Sequence, residues 1–190
     1  MKKRIFSLIL AILMLASFVS CSKNGDETTD LTESDNTPAH THGEEDVEPD
    51  PAPDFTVYGK DGKTVKLSDM KGTPVVLNFW ASWCPPCKAE MPEFDQIAKE
   101  YEGKVAFMMV NLTDGQSETQ SSAQAFIDSM GYTFPVYFDL DSDAAYKYGV
   151  QSIPTTYFID AQGNLIAGAT GAIDGDTLRR GISMIYTEAK

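Results

Sequence analysis

Basic side chains, cysteine and histidine are all scarce in this 190-residue chain, and each scarcity removes a class of protein. Fifteen Lys plus Arg stand against 28 Asp plus Glu, a net charge of −13. No basic run follows residue 4, so a phosphate backbone finds no patch to bind and nucleic acid is excluded as a partner. Three cysteines are too few for a disulfide-dense miniature scaffold. Two histidines, His40 and His42, lie in a polar acidic stretch that offers no preformed geometry for a metal, so no metal site is expected. The length suits one ordinary globular domain with residues to spare, and two large domains are not expected.

Long apolar runs are rare too, and the N-terminal one has the layout of an export signal. Lys2, Lys3 and Arg4 precede an apolar stretch over residues 5–19, interrupted only by Ser7 and Ser17. Fifteen helical residues reach about 22 Å, short of the ~30 Å hydrocarbon core, which argues against a permanent transmembrane anchor. The run closes on Phe18, Val19, Ser20 and Cys21, which resembles the lipobox of bacterial lipoproteins, with Phe18 where that pattern usually has Leu. The resemblance implies a signal peptide over residues 1–20, cleavage before Cys21 and lipidation of Cys21. A diacylated cysteine supplies the two chains that stable anchoring needs.

Residues 22–54 hold eleven acidic residues, one Lys, five Thr and four Pro, with Leu31 and Val47 as the main apolar side chains. Such a stretch cannot bury enough surface to offset its ordering entropy. Residues 21–53 are therefore read as an acidic tether and residues 54–190 as the folded domain. Self-repulsion would keep the tether extended and hold the domain off an anionic membrane surface.

From Phe55 the pattern changes to alternating apolar runs and amphipathic stretches. Strands are predicted at residues 55–58 and 64–67, with a short helical turn at 68–71. The run Val75-Val76-Leu77-Asn78-Phe79-Trp80 reads as a central strand covered on both faces. Helices are predicted at 85–101, 118–130, 143–148 and 174–187, and further strands at 105–112, 136–138, 155–159 and 165–169. The order predicts an α/β fold, a central mixed sheet flanked by helices.

Cys84 and Cys87 stand as Trp83-Cys84-Pro85-Pro86-Cys87, between the central strand and the mouth of the following helix. Unpaired amides and the macrodipole at a helix N-terminus favour a thiolate, so Cys84 is the candidate nucleophile and Cys87, one turn further in, the candidate resolving thiol. Pro85 and Pro86 cost little in the first turn, which has no intrahelical N–H bond to lose. Two other readings compete. A zinc site lacks two ligands, and a purely structural disulfide closing so short a loop would constrain the unfolded chain little.

The segment Asn78-Phe79-Trp80-Ala81-Ser82-Trp83-Cys84-Pro85-Pro86-Cys87-Lys88 resembles the active-site strand and helix of the thioredoxin superfamily, and Ile153-Pro154-Thr155 resembles its cis-proline loop. Within the superfamily the chain is most similar to the membrane-tethered TlpA/ResA-like thiol-disulfide oxidoreductases. That likeness rests on the N-terminal hairpin, the continuation Lys88-Ala89-Glu90-Met91-Pro92, and an extra helix and strand at about residues 113–138. It implies a thioredoxin-like fold with an N-terminal β-hairpin and an inserted helix plus strand. It also implies a redox-active Cys84–Cys87 disulfide and a substrate-binding rim of Trp83, Pro85, Pro86, Ile153 and Pro154. Pro92, inside the helix, is expected to kink it. Cytosolic thioredoxins carry a buried Asp where this chain has Asn78, which cannot take a proton. Glu90, three residues beyond Cys87 on the same helical face, is the nearest substitute; it is expected to be partly buried, with a raised pKa, and to help deprotonate Cys87.

The expected reaction is attack by the Cys84 thiolate on a substrate disulfide, followed by resolution through Cys87. No cofactor is expected. The resemblance implies a disulfide-bearing exported protein as client, for example in cytochrome c maturation, and a membrane electron donor of the DsbD or CcdA type. The domain is expected to face the extracytoplasmic side of a bacterial membrane, to touch that membrane only through its lipid, and to be monomeric. The same residues would also serve an oxidase running in reverse. A peroxiredoxin-like peroxidase would need an Arg near the nucleophile, whereas the arginines after the signal are Arg179 and Arg180 in the last predicted helix. A tethered binding module with an idle disulfide is the non-enzymatic alternative.

Overall fold

The computed structural model describes residues 50–188. The signal segment, Cys21, His40, His42 and residues 21–49 of the tether lie outside the described residues. Twelve elements follow in chain order: β1 (Thr56–Gly59), β2 (Thr64–Lys66), a 3-10 turn (Leu67–Met70), β3 (Val75–Trp80), α1 (Pro85–Glu100), β4 (Ala106–Asn111), α2 (Gln120–Met130), β5 (Val136–Phe138), α3 (Asp143–Lys147), β6 (Thr155–Ile159), β7 (Leu165–Thr170) and α4 (Gly175–Ile185).

The seven strands form one mixed sheet in the order β2-β1-β5-β4-β3-β6-β7. β3 runs parallel to β4 and antiparallel to β6, and all six of its residues are buried. Strand alternation then divides its side chains between two cores. Val76 and Trp80 join Phe94, Ile97, Ile127, Leu178 and Ile182 under α1, α2 and α4. Val75, Leu77 and Phe79 join Phe55, Val57, Met108 and Ala144 on the opposite face, where α3 lies. Asn78 shares the parity of Val76 and Trp80, and is thereby turned toward α1.

Local chemistry explains where the helices begin and end. Cys84 has extended backbone and caps α1, with Pro85 and Pro86 in the first two helical positions. Thr119 caps α2 by accepting from Ser122 N at 3.0 Å, and Gly131 closes it with φ 69°, a left-handed conformation that glycine adopts without strain. α2 begins two residues after the predicted start at 118 because Thr119 takes extended backbone, φ −115° and ψ 156°, as its cap. α1 runs on through Pro92, which sits on its exposed side. α4 packs against β6 through Gly181, where an added Cβ would lie 2.1 Å from the Phe158 ring.

The fold also reaches into the stretch read as tether. Pro51 bridges Asn164, Leu165 N donates to Asp50 O at 2.8 Å and Ala52 N to Gly163 O at 2.9 Å. Backbone pairing of this kind does not need apolar side chains, so composition gave no sign of it.

Candidate active site: a disulfide at the mouth of a helix and a buried carboxylate

β3 ends at Trp80, and four residues later the chain turns into α1 at Cys84. Cys84 and Cys87 form a disulfide with their Cα atoms 5.3 Å apart. Both are buried, and Cys87 N donates to Cys84 Sγ at 3.2 Å, so the first sulfur occupies the capping position that an oxygen usually fills. Such a position stabilises negative charge on Cys84 once the disulfide is reduced.

The strand order brings the second part of the site to the first. β6 pairs antiparallel with β3, so its leading end lies beside the trailing end of β3, with Phe79 opposite Thr155. Immediately before β6, the Ile153–Pro154 peptide is cis, and Cys84 Sγ lies 3.7 Å from Ile153 O. Trp83 is 54% exposed beside Cys84, and Pro85 and Pro86 are exposed as well, whereas Pro154 is buried and Ile153 half-buried. Trp80 is fully buried. Trp83, Pro85 and Pro86 thus flank Cys84 in the chain, the Ile153 carbonyl approaches its sulfur, and Trp83 is the exposed apolar side chain next to it.

Glu90 follows Cys87 by one helical turn on the inward face of α1 and is only 4% exposed. Asn78 Nδ2 donates to its Oε1 at 2.9 Å, and Ile173 N, in the segment leading to α4, donates to Oε2 at 3.0 Å. Burial pushes the Glu90 carboxyl up to about 7, against the opposing pull of those two N–H donors. Asn78 Nδ2 also donates to Thr156 Oγ1 at 3.0 Å, while its Oδ1 is buried with no partner among the described residues.

A second buried carboxylate escaped the sequence reading. Glu118, fully buried, accepts from Ser82 N and Ser82 Oγ at 2.8 Å each and from Ser122 Oγ at 3.1 Å. It thus pins the loop that carries Trp83 and Cys84 to the start of α2. An acidic residue beside a helix cap reads from sequence as a solvated first-turn charge, and nothing local distinguishes this one. Ile173 and Thr156 were missed for the same reason, one acting through its backbone and the other as an ordinary strand threonine.

A sheet of this order, with a CxxC disulfide at the mouth of the helix after its central strand and a cis-proline facing it, defines the thioredoxin-like class. Residues 49–167 match the AhpC/TSA family. Thiol-disulfide oxidoreductase ResA of Oceanobacillus iheyensis is 40% identical over 133 residues, covering 68% of each chain. Thioredoxin-like protein YneN of Bacillus subtilis is 42% identical over 112 residues, 59% of this chain and 65% of that one. The chain spans about two thirds of the length of these curated relatives. Among solved structures, the exposed lipoprotein thioredoxin Etrx1 of Streptococcus pneumoniae superposes with a TM-score of 0.62 at 35% identity, covering 69% of this chain and 98% of that one. StoA of Bacillus subtilis superposes with a TM-score of 0.60 at 27% identity, covering 70% and 98%. The chain belongs to the AhpC/TSA family and, within it, to the thiol-disulfide oxidoreductases of the ResA type.

Proposed function

We propose that this protein is an extracytoplasmic thiol-disulfide reductase, acting on disulfides of exported proteins such as apocytochrome c. The observation that carries the reading is the Cys84–Cys87 pair at the mouth of α1, 3.7 Å from the carbonyl before Pro154, with a buried carboxyl one turn behind Cys87. ResA-type relatives and a lipoprotein thioredoxin among the structural neighbours support the extracytoplasmic location, with the chain held to the membrane by lipid on Cys21.

In the reduced protein the Cys84 thiolate attacks one sulfur of a substrate disulfide. A Cys84–substrate bond forms, the substrate S–S bond breaks, and the departing sulfur leaves as a thiolate that takes a proton from solvent. Glu90 then accepts the Cys87 proton; a carboxyl near 7 is about half ionised at neutral pH, so it can both take that proton and later release it. The Cys87 thiolate attacks Cys84 Sγ, closing the internal disulfide and releasing the second substrate sulfur. Two electrons pass from protein to substrate; one substrate thiolate takes its proton from solvent, and the other takes the proton that Glu90 received from Cys87. Trp83, Pro85 and Pro86 provide the apolar rim, and the backbone at Ile153–Pro154 offers an edge against which an extended substrate segment pairs. Turnover requires re-reduction, for which a membrane donor of the DsbD or CcdA type fits, since anchoring both proteins to one surface raises their effective concentration.

The test is the reduction potential of the pair, measured against defined thiol-disulfide buffers, together with trapping of the mixed disulfide by Cys87→Ser. A value near or below about −270 mV supports a reductase; one near about −120 mV makes the protein an oxidant of exported thiols. Peroxide consumption faster than disulfide exchange would assign a peroxidase instead, and an unaltered cellular role in Cys84→Ser would assign a binding module.

A further inference from the structure

We propose that Asn78 is a positioning residue that controls the protonation of Glu90, its carboxamide holding the carboxylate form in place from β3 while Thr156 fixes the carboxamide from β6. The inference deepens the reading of Glu90 as proton acceptor for Cys87 and gives that proton a device that governs it.

The arrangement of donors carries the argument. Each oxygen of Glu90 faces an N–H group: Oε1 the side chain of Asn78 at 2.9 Å, Oε2 the backbone of Ile173 at 3.0 Å. An ionised carboxylate is acceptor-only and is satisfied by such a pair, whereas a protonated one brings an O–H into a site already lined with donors. The two donors differ in kind. Ile173 N is fixed by the backbone and serves any side chain that reaches it, but Asn78 is a choice of residue, fully buried among Val76, Trp80 and α1. Leucine or valine there would leave Oε1 without a partner.

The other half of the Asn78 amide completes the device. Both N–H bonds of Nδ2 are used, one on Glu90 and one on Thr156, and Oδ1 is left buried with no partner among the described residues. A half-turn of the carboxamide exchanges Nδ2 and Oδ1, so that Oδ1 accepts from a protonated Glu90 and from the Thr156 hydroxyl, which can donate as well as accept. The half-turn leaves Nδ2, with two N–H groups, as the unpartnered end instead. Ionised Glu90 selects the orientation with Nδ2 toward it and protonated Glu90 the one with Oδ1 toward it, so a change of protonation costs the site a rearrangement.

Other charges stand aside. On α1 the titratable neighbours are Cys87, one turn before Glu90, and Glu93, whose carboxylate accepts from Gly175 N at the start of α4. Asp174, next to Ile173, accepts from Thr177 N. Lys88 is on the exposed side of the helix. From β3 the neutral Asn78 contacts the carboxyl, and Thr156 on β6 contacts Asn78 in turn, so burial and two neutral donors, Ile173 N and Asn78 Nδ2, account for its behaviour.

The experiment follows the Glu90 side-chain carboxyl by carbon NMR in the oxidised protein as pH is varied, in the parent and in Asn78→Ala and Thr156→Val. Losing a hydrogen bond to a charged group is expected to raise the Glu90 midpoint by about one pH unit in Asn78→Ala, a tenfold change in its proton affinity. Thr156→Val keeps the carboxamide but loosens it, and is expected to raise the midpoint by a smaller amount; it decides the matter if Asn78→Ala does not fold. A midpoint that stays at the parent value overturns the proposal, since a merely structural asparagine would change stability without moving it. The pH profile of dithiol oxidation provides the separate check on Glu90 itself. It should move alkaline with the NMR midpoint, and Asn78→Ala should have no such effect in a Glu90→Gln background. A midpoint that moves while the dithiol profile does not would leave Asn78 in control of Glu90 and remove Glu90 from the proton path of Cys87.

Discussion

Replacing Glu90 by Gln should change how stability depends on pH, in a direction that the burial of this carboxyl dictates. Its folded value is about 7 against an ordinary 4.5. Between those values the folded protein holds a proton that the unfolded chain has released, so stability falls as pH rises through the window. The difference of about 2.5 pH units, at 1.36 kcal/mol each, amounts to about 3 kcal/mol. This contribution is fully favourable below about pH 4.5 and is lost once pH exceeds about 7. Glutamine keeps the shape without the charge, so the stability of the parent minus that of Glu90→Gln should drop by about 3 kcal/mol over this range and level off above about pH 8. Urea denaturation of the oxidised protein at a series of pH values measures both terms, and subtracting the variant cancels every other titrating group. A difference that stays constant with pH within about 0.5 kcal/mol would refute the argument that burial dominates this site.

Three further outcomes follow from the packing around the site. Gly181→Ala should destabilise by about 1–3 kcal/mol in urea denaturation, despite the better helix propensity of alanine, because the new methyl meets the Phe158 ring. Asp95→Ala should cost about 2–3 kcal/mol, since this carboxylate accepts from Thr133 N at 2.6 Å and Thr133 Oγ1 at 3.0 Å and pairs with Lys99. Burial alone would push Asp95 up, but these donors outweigh it and hold the carboxyl below its usual value. The stability it contributes is therefore present above the ordinary aspartate value and lost as pH falls through the lower folded one, which acid unfolding of parent and variant will measure. Glu118→Gln should cost about 1–3 kcal/mol and speed amide hydrogen exchange at Ser82, because the replacement brings an N–H against the Ser82 donors.

The order and type of the elements were legible because each is specified by neighbours in the chain. Apolar runs of strand length, proline in the first turn of α1 and glycine after α2 are short-range signals, and the predicted ends of most elements lie within a residue or two of those observed. The Cys84–Cys87 pair was legible for the same reason, since two cysteines three apart at a helix mouth define one another's geometry. The likeness of the Ile153–Pro154 segment extended the reading to a second, distant part of the site.

The surroundings of Glu90 could not be read that way. Period 3.6 places Glu90 on the face of Cys87 and period 2 places Asn78 on the face of Trp80, yet neither period says that the two faces meet. That follows from α1 lying across β3; Thr156, which accepts from Asn78, stands 78 residues from it, and Ile173, which donates to Glu90, stands 83 residues from it. Glu118 likewise reaches Ser82 across 36 residues. Sequence alone determined the elements, the cysteine pair and a carboxylate one turn behind it, because local periodicity and steric preference act over a few residues. Tertiary structure alone decided that this carboxylate is buried, which donors grip it and how the cysteine loop is pinned, because desolvation and hydrogen bonding depend on what the sheet order brings into contact.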